Sequence, residues 1–149
     1  MAEALRVGIA GLGTVGASVV RVLTEKAAEL ARQCGREIAV TAVSARDKAR
    51  DRGVSLDAAQ WFDDPVGLAK TADIDVFIEL IGGDEGAARA SVKAALEAGR
   101  HVVTANKALL ARHGRMVAVS LVRGLGNPPR ELQCCRRKCP SIRTRCGRW

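Results

Sequence analysis

Long apolar runs are missing from this chain of 149 residues. No uninterrupted hydrophobic stretch approaches the roughly 18 residues that a helix needs to span a bilayer, so no membrane anchor is expected. A secretory leader is not expected either. Met1-Ala2-Glu3-Ala4 runs into an apolar segment without a basic region and hydrophobic stretch before it, which predicts a cytoplasmic location. Histidine is scarce: His101 and His113 are the two present. Neither sits in an H-E-x-x-H or comparable spacing, so each reads as structural or exposed and no metal site is expected. Aromatic residues make up 3% of the chain, and the basic end carries only Trp149. Nucleic-acid binding, which pairs basic residues with stacking aromatics, is therefore not expected.

Net charge is absent from most of the chain as well. Residues 1–114 hold 15 Lys+Arg against 15 Asp+Glu, so the whole formal charge of +8 falls on residues 115–149. Cys134, Cys135, Cys139 and Cys146 crowd into that same end, with Pro128, Pro129 and Pro140, while Cys34 stands alone earlier. Adjacent cysteines followed by gaps of this kind match no regular paired knuckle for zinc. The composition predicts two parts: a folded domain over 1–114 and an irregular basic tail over 115–149.

What the first part does contain is Gly11-Leu12-Gly13-Thr14-Val15-Gly16. It follows the apolar run Leu5 to Ala10 and opens a segment whose Val15, Val19, Val22 and Leu23 recur at helical spacing. A glycine-rich turn between strand and helix is a phosphate cradle. The first glycine permits the turn, the second lets a pyrophosphate reach the backbone, and the third allows close packing. The helix N-terminus offers free N–H groups and a positive dipole end.

The remaining elements follow in order. A helix is expected from Thr14 to Gln33, stopped by Cys34-Gly35, and a second strand over Glu37–Val43. The strand runs into Ser44-Ala45-Arg46-Asp47-Lys48-Ala49-Arg50. An acidic residue here accepts hydrogen bonds from the adenosine ribose of NAD, whereas a basic one suits the 2′-phosphate of NADP. Arg46, helped by Lys48 or Arg50, favours NADP, and Asp47 leaves NAD open. Trp61-Phe62 predicts a short strand, Asp63-Asp64-Pro65 a turn, and Val66–Lys70 a short helix started by the proline. A strand over Ile74–Ile81 ends at Gly82-Gly83, which serves either as a simple turn or as a place where backbone meets cofactor. A helix over Glu85–Ala98 ended by Gly99 leads to a strand at His101–Thr104. That strand delivers Ala105-Asn106-Lys107 to its carboxyl end, before a helix from Ala108 to Ala111. Lys107 reads either as a nicotinamide-facing cation or as a surface lysine, and its unfavourable place at a helix start argues for the former. The pattern predicts an α/β, Rossmann-like, doubly wound and mostly parallel sheet of at least four strands.

Four stretches in this order closely resemble bacterial homoserine dehydrogenase: Val7 to Gly16, Ser44 to Asp47, Asp75 to Gly83, and His101 to Ala111. The resemblance covers residue 5 to about 114. It implies an NAD(P)-dependent oxidoreductase interconverting homoserine and aspartate 4-semialdehyde, on the way to threonine, methionine and isoleucine. By resemblance Gly11, Gly13, Thr14, Val15 and Gly16 line the pyrophosphate, Arg46 meets the adenosine phosphate, and Gly82, Gly83 and Thr104 border the cofactor. Lys107 matches a lysine near nicotinamide and substrate, a catalytic role. Beyond Gly114 the family continues into a substrate-binding and dimerisation domain that makes it a homo-oligomer, and residues 115–149 do not resemble it. A reading-frame shift near position 115 is the expected cause of that departure. Three readings stay open: the dehydrogenase, a fragment that binds NADP(H) without turnover, and an interaction protein using its basic tail.

Overall fold

The computed structural model describes residues 3–124, and the readings made for Cys134, Cys135, Cys139, Cys146 and the rest of 125–149 lie outside the described residues. The elements are β1 (Leu5–Ala10), α1 (Thr14–Glu25), α2 (Ala27–Cys34), β2 (Ile38–Ser44), β3 (Gln60–Phe62), α3 (Pro65–Thr71), β4 (Val76–Glu79), α4 (Ala87–Glu97), β5 (His101–Thr104) and α5 (Lys107–Gly124). The strands form one sheet in the order β3-β2-β1-β4-β5. Every neighbouring pair is parallel, so the expected doubly wound α/β fold is the observed one.

Alternation along the strands divides the core into two clusters. Val7 and Ile9 of β1 pack with Leu12, Val20 and Val43 under α1. Ala10 and Phe77 join Leu68, Ile74, Val92 and Leu109 under α3, α4 and α5 on the opposite side. Phe77, Ile9, Leu68 and Ile74 are fully enclosed, and burial of each contributes roughly 1.5–3 kcal/mol. Among the described residues β5 is an edge strand, and its Val103 is 53% exposed.

β1 lies in the middle, with β2 on one side and β4 on the other. The chain leaves β1 toward β2 and β3 and later returns to the other side of β1 through β4. A crevice opens outside the carboxyl ends of the strands at such a reversal. It is here that β1 delivers the glycine-rich turn.

Several element bounds differ from those expected. The helix predicted over Thr14–Gln33 is interrupted at Lys26 (φ −105°, ψ 19°). The break lets α1 keep Gly16 and Val20 against the sheet, while α2, which buries no residue, follows the surface back toward β2. β2 starts and ends one residue later than expected, because the Glu37 carbonyl accepts from Leu5 N and the Ser44 carbonyl from Gly11 N. β4 is shorter than Ile74–Ile81. Past Glu79 the Ile81 and Gly82 N–H groups turn to the Glu79 carboxylate and leave the sheet. α5 is longer than the expected Ala108–Ala111: it crosses Gly114, with no proline in its way, and Val117 packs against the core, so residues 115–124, expected in the irregular tail, are helical instead. By contrast β1, β3's Trp61-Phe62, β5 and the proline start of α3 stand where the sequence placed them.

Candidate functional site

A cleft of about 380 Å³ opens at the carboxyl ends of β1, β2 and β4. Gly11, Leu12 and Gly13 line one side, Ser44 to Asp47 with Arg50 and Arg52 another, and Leu80, Ile81 and Ala87 a third. The turn is built by its glycines. Gly11 has φ +100°, and a Cβ there would lie 2.5 Å from the Leu80 carbonyl. At Gly13 a Cβ would meet no atom within 4 Å, so this glycine faces open space. Gly16 is buried, and a Cβ on it would fall on the Gly11 carbonyl oxygen.

Like those of α2 and α4, the start of α1 carries no side-chain cap, unlike those of α3 and α5. Asp64 caps α3 by accepting from Val66 N (3.1 Å) and Gly67 N (2.8 Å). In α5 the Asn106 carboxamide oxygen accepts from Leu109 N at 3.0 Å. No side chain caps α1, whose N-cap residue is Gly13 itself. The first-turn N–H groups and the positive end of the dipole are left without a side-chain partner beside the cleft that Gly13 lines, and an anion there would satisfy both. An oxygen-rich diphosphate fits this bare cradle, which a side chain at position 13 would fill.

The loop after β2 forms the second wall. Arg46 and Arg50 are exposed and line the cleft. Asp47 also lines it, but its Oδ1 accepts from Ala49 N at 2.9 Å. Arg52 holds the loop in shape. Its Nε donates to the Leu12 carbonyl at 3.1 Å, its Nη1 to the Arg50 carbonyl at 2.6 Å, and its Nη2 to the Asp47 carbonyl. The guanidinium also lies over the Trp61 ring, 5.6 Å from its centroid, where a cation is attracted by the π face. Arg52 therefore ties the glycine turn to the arginine loop.

The ends of β4 and β5 carry the third group. Glu79 is fully buried as the last residue of β4. Its Oε1 accepts from Ile81 N (2.8 Å) and Gly82 N (3.1 Å), and its Oε2 accepts from the Thr104 hydroxyl (2.6 Å). Thr104 Oγ1 in turn accepts from Asn106 N at 3.0 Å, and Asn106 Nδ2 donates to the Gly83 carbonyl. Beyond the diglycine, Asp84 pairs with Arg112 (2.8 Å), and Glu85 accepts from Arg89 (2.9 Å) and meets His113 (2.8 Å). The Arg89 guanidinium, with His113 beside it, holds the Glu85 carboxyl below the usual range. These contacts fasten the Gly82–Glu85 segment to α4 and α5.

Of the residues singled out from the sequence, Gly11, Gly13 and Arg46 line the cleft directly. Thr14 and Val15 are exposed in the first turn of α1, and Gly16 is buried behind it. Gly82, Gly83, Thr104 and Lys107 are absent from the lining and sit together at the ends of β4 and β5, next to Leu80 and Ile81. Lys107 is exposed as the first residue of α5. Sequence reasoning passed over Glu79, Asn106 and Arg52. Glu79 announces itself as the lone carboxylate inside Val76-Phe77-Ile78-Glu79-Leu80-Ile81, Asn106 as a helix-capping residue type before Lys107. Arg52 has no comparable signal, since its partners are backbone carbonyls distant in sequence. Among the described residues no group of three or more His, Cys, Asp or Glu is placed to hold a metal ion, and no helix is long and apolar enough to cross a membrane.

Known proteins resemble this chain in sequence and fold. The family model described as "Homoserine dehydrogenase, NAD binding domain" matches residues 11–120. Homoserine dehydrogenase of Pseudomonas aeruginosa is 45% identical over 115 residues, covering 76% of this chain and 25% of the relative. That of Neisseria gonorrhoeae is 41% identical over 113 residues, 76% of this chain and 26% of the relative. The crystal structure of a homoserine dehydrogenase from Thiobacillus denitrificans superposes with a TM-score of 0.74 at 35% identity, covering 82% of this chain and 28% of that one. The chain thus spans about a quarter of the length of the curated relatives it matches.

Proposed function

The chain belongs to the homoserine dehydrogenase family, as its NAD-binding domain, and from that premise we propose that the cleft holds NADP(H) for the oxidoreduction of homoserine and aspartate 4-semialdehyde. The observation that carries this reading is the uncapped N-terminus of α1 at Gly13, opening onto a cleft whose far wall is Arg46 and Arg50. The pyrophosphate lies on Gly11, Gly13 and the first turn of Thr14 and Val15. Gly16 keeps α1 close enough for those N–H groups to converge. Arg46 and Arg50 receive the adenosine 2′-phosphate, and a planar guanidinium grips it in two places. Asp47, the acceptor that NAD needs, has one oxygen engaged by Ala49 N, which supports NADP over NAD.

Gly82, Gly83 and Thr104, beyond Leu80 and Ile81, would hold the nicotinamide end. The bound nicotinamide supplies or takes the hydride. Lys107 holds the substrate oxygen and handles its proton there. Hydride transfer requires the substrate carbon within about 3.5 Å of the nicotinamide, and the described residues furnish the cofactor half of that geometry. We assign this chain cofactor binding without turnover by itself.

A thermal-shift titration tests the reading. Saturating NADP should raise the melting temperature, by mass action on the folded state, more than equimolar NAD does. No shift with either dinucleotide overturns it. With NADPH and aspartate semialdehyde, the 340 nm absorbance should stay constant, and steady oxidation overturns the assignment of binding without turnover.

A further inference from the structure

Resting on the cofactor reading above, we propose that Glu79 is a positioning residue that locks the diglycine backbone and the start of α5 into one unit at the nicotinamide end of the site. The hydrogen bonds close a ring. Glu79 reaches Gly82 N through Oε1 and Thr104 through Oε2; Thr104 receives Asn106 N; Asn106 returns to the Gly83 carbonyl through Nδ2. The same Asn106 caps α5 through Leu109 N and directly precedes Lys107. The diglycine and Lys107, 24 positions apart in the chain, thus share one frame.

The chemistry argues that this frame is selected for geometry. A buried carboxylate is costly unless each oxygen is satisfied, and a strand can end at a diglycine without one. Here the carboxylate is wholly enclosed and receives three donors from two segments. None of the three lies on the arginine loop, which is fastened separately by Arg52 to Leu12. The adenosine end and the nicotinamide end are therefore held by separate sets of bonds. Thr104, with its hydroxyl committed to Glu79 and Asn106, acts through this frame as well.

The separation supplies the test. The full chain and its E79Q, T104V and T104S variants are titrated with NADPH and with adenosine 2′,5′-bisphosphate, which lacks the nicotinamide half. E79Q and T104V should bind the bisphosphate as the wild type does but lose roughly fivefold or more in NADPH affinity, the scale of a lost bond to a charged group. T104S, which keeps the hydroxyl, should retain NADPH affinity. T104V leaves both backbone bonds to Oε1 intact and carries the same expectation should E79Q fail to fold. Proportional loss of both ligands, or unchanged NADPH affinity in the variants, overturns the positioning role alone. A wild type that binds neither ligand overturns the cofactor reading and this one with it.

Discussion

The carbonyl oxygen of Gly11 occupies the space that a Cβ on residue 16 would need. The first and third glycines of the turn are thus locked together, whereas the second faces open space. Substitution should separate folding from binding accordingly. G16A forces backbone apart and should cost about 1–3 kcal/mol or more of stability. G11A adds a left-handed backbone, at φ +100°, to a clash with the Leu80 carbonyl and should be at least as damaging. G13A should melt close to the wild type yet weaken NADP severalfold, because its methyl enters the phosphate path. Melting curves with and without NADP check all three, and wild-type NADP affinity in G13A would remove the phosphate from that side of the turn.

The arginine loop should govern the choice between dinucleotides. R46A is expected to weaken NADP about tenfold, as for one hydrogen-bonded charge pair, and to leave NAD nearly unchanged. Arg46 is exposed, so the gap between the two cofactors should narrow as salt rises. Titrations at low and high ionic strength measure both effects. Equal losses for NAD and NADP would place Arg46 away from the 2′-phosphate.

Arg52 offers a contrasting case. Its three nitrogens serve three backbone carbonyls, those of Leu12, Arg50 and Asp47, a fork that an ammonium cannot reproduce. R52K should therefore resemble R52A. Both should lose NADP affinity, and both should expose the 46–52 loop to proteolysis faster than the wild type. A lysine variant with intact loop protection would mean that charge alone holds the segment.

The sequence reveals the fold where a local pattern suffices. Leu5–Ala10 and His101–Thr104 are apolar runs bounded by turn signals, and both strands run over those residues. Asp64-Pro65 carries its own cap, and α3 begins there. Bounds fail where a distant partner decides them. β4 stops at Glu79 because its own side chain takes the N–H groups of Ile81 and Gly82, and no periodicity shows that. The site divides in the same way. The glycine turn and Arg46 are legible because spacing defines their chemistry. The Glu79–Thr104–Asn106 connection is hidden, since it joins residues brought side by side only by the parallel pairing of β4 with β5, where Glu79 sits opposite Thr104.

At the other end of the sheet, acid should expose a purely structural pair. Arg6 donates to Asp75 Oδ2 through its backbone N (2.9 Å) and Nε (3.2 Å), and to Oδ1 through Nη2 (2.9 Å). These hydrogen bonds hold the Asp75 carboxyl at about 2 instead of its ordinary 3.8. A depressed carboxylate stabilises the fold above its unfolded pKa, and that contribution is lost as pH falls through the folded value. The melting temperature of D75N should lie below the wild type by a constant margin from pH 6 to 8. The margin should shrink below about pH 4 and vanish near pH 2. Glu85, also held low, titrates in both proteins and cancels from the difference between them. Because Asp75 precedes β4 and the cleft lies beyond that strand's other end, D75N should bind NADP at neutral pH as the wild type does. A margin that persists unchanged to pH 2 would show that the ion pair is not what Asp75 contributes.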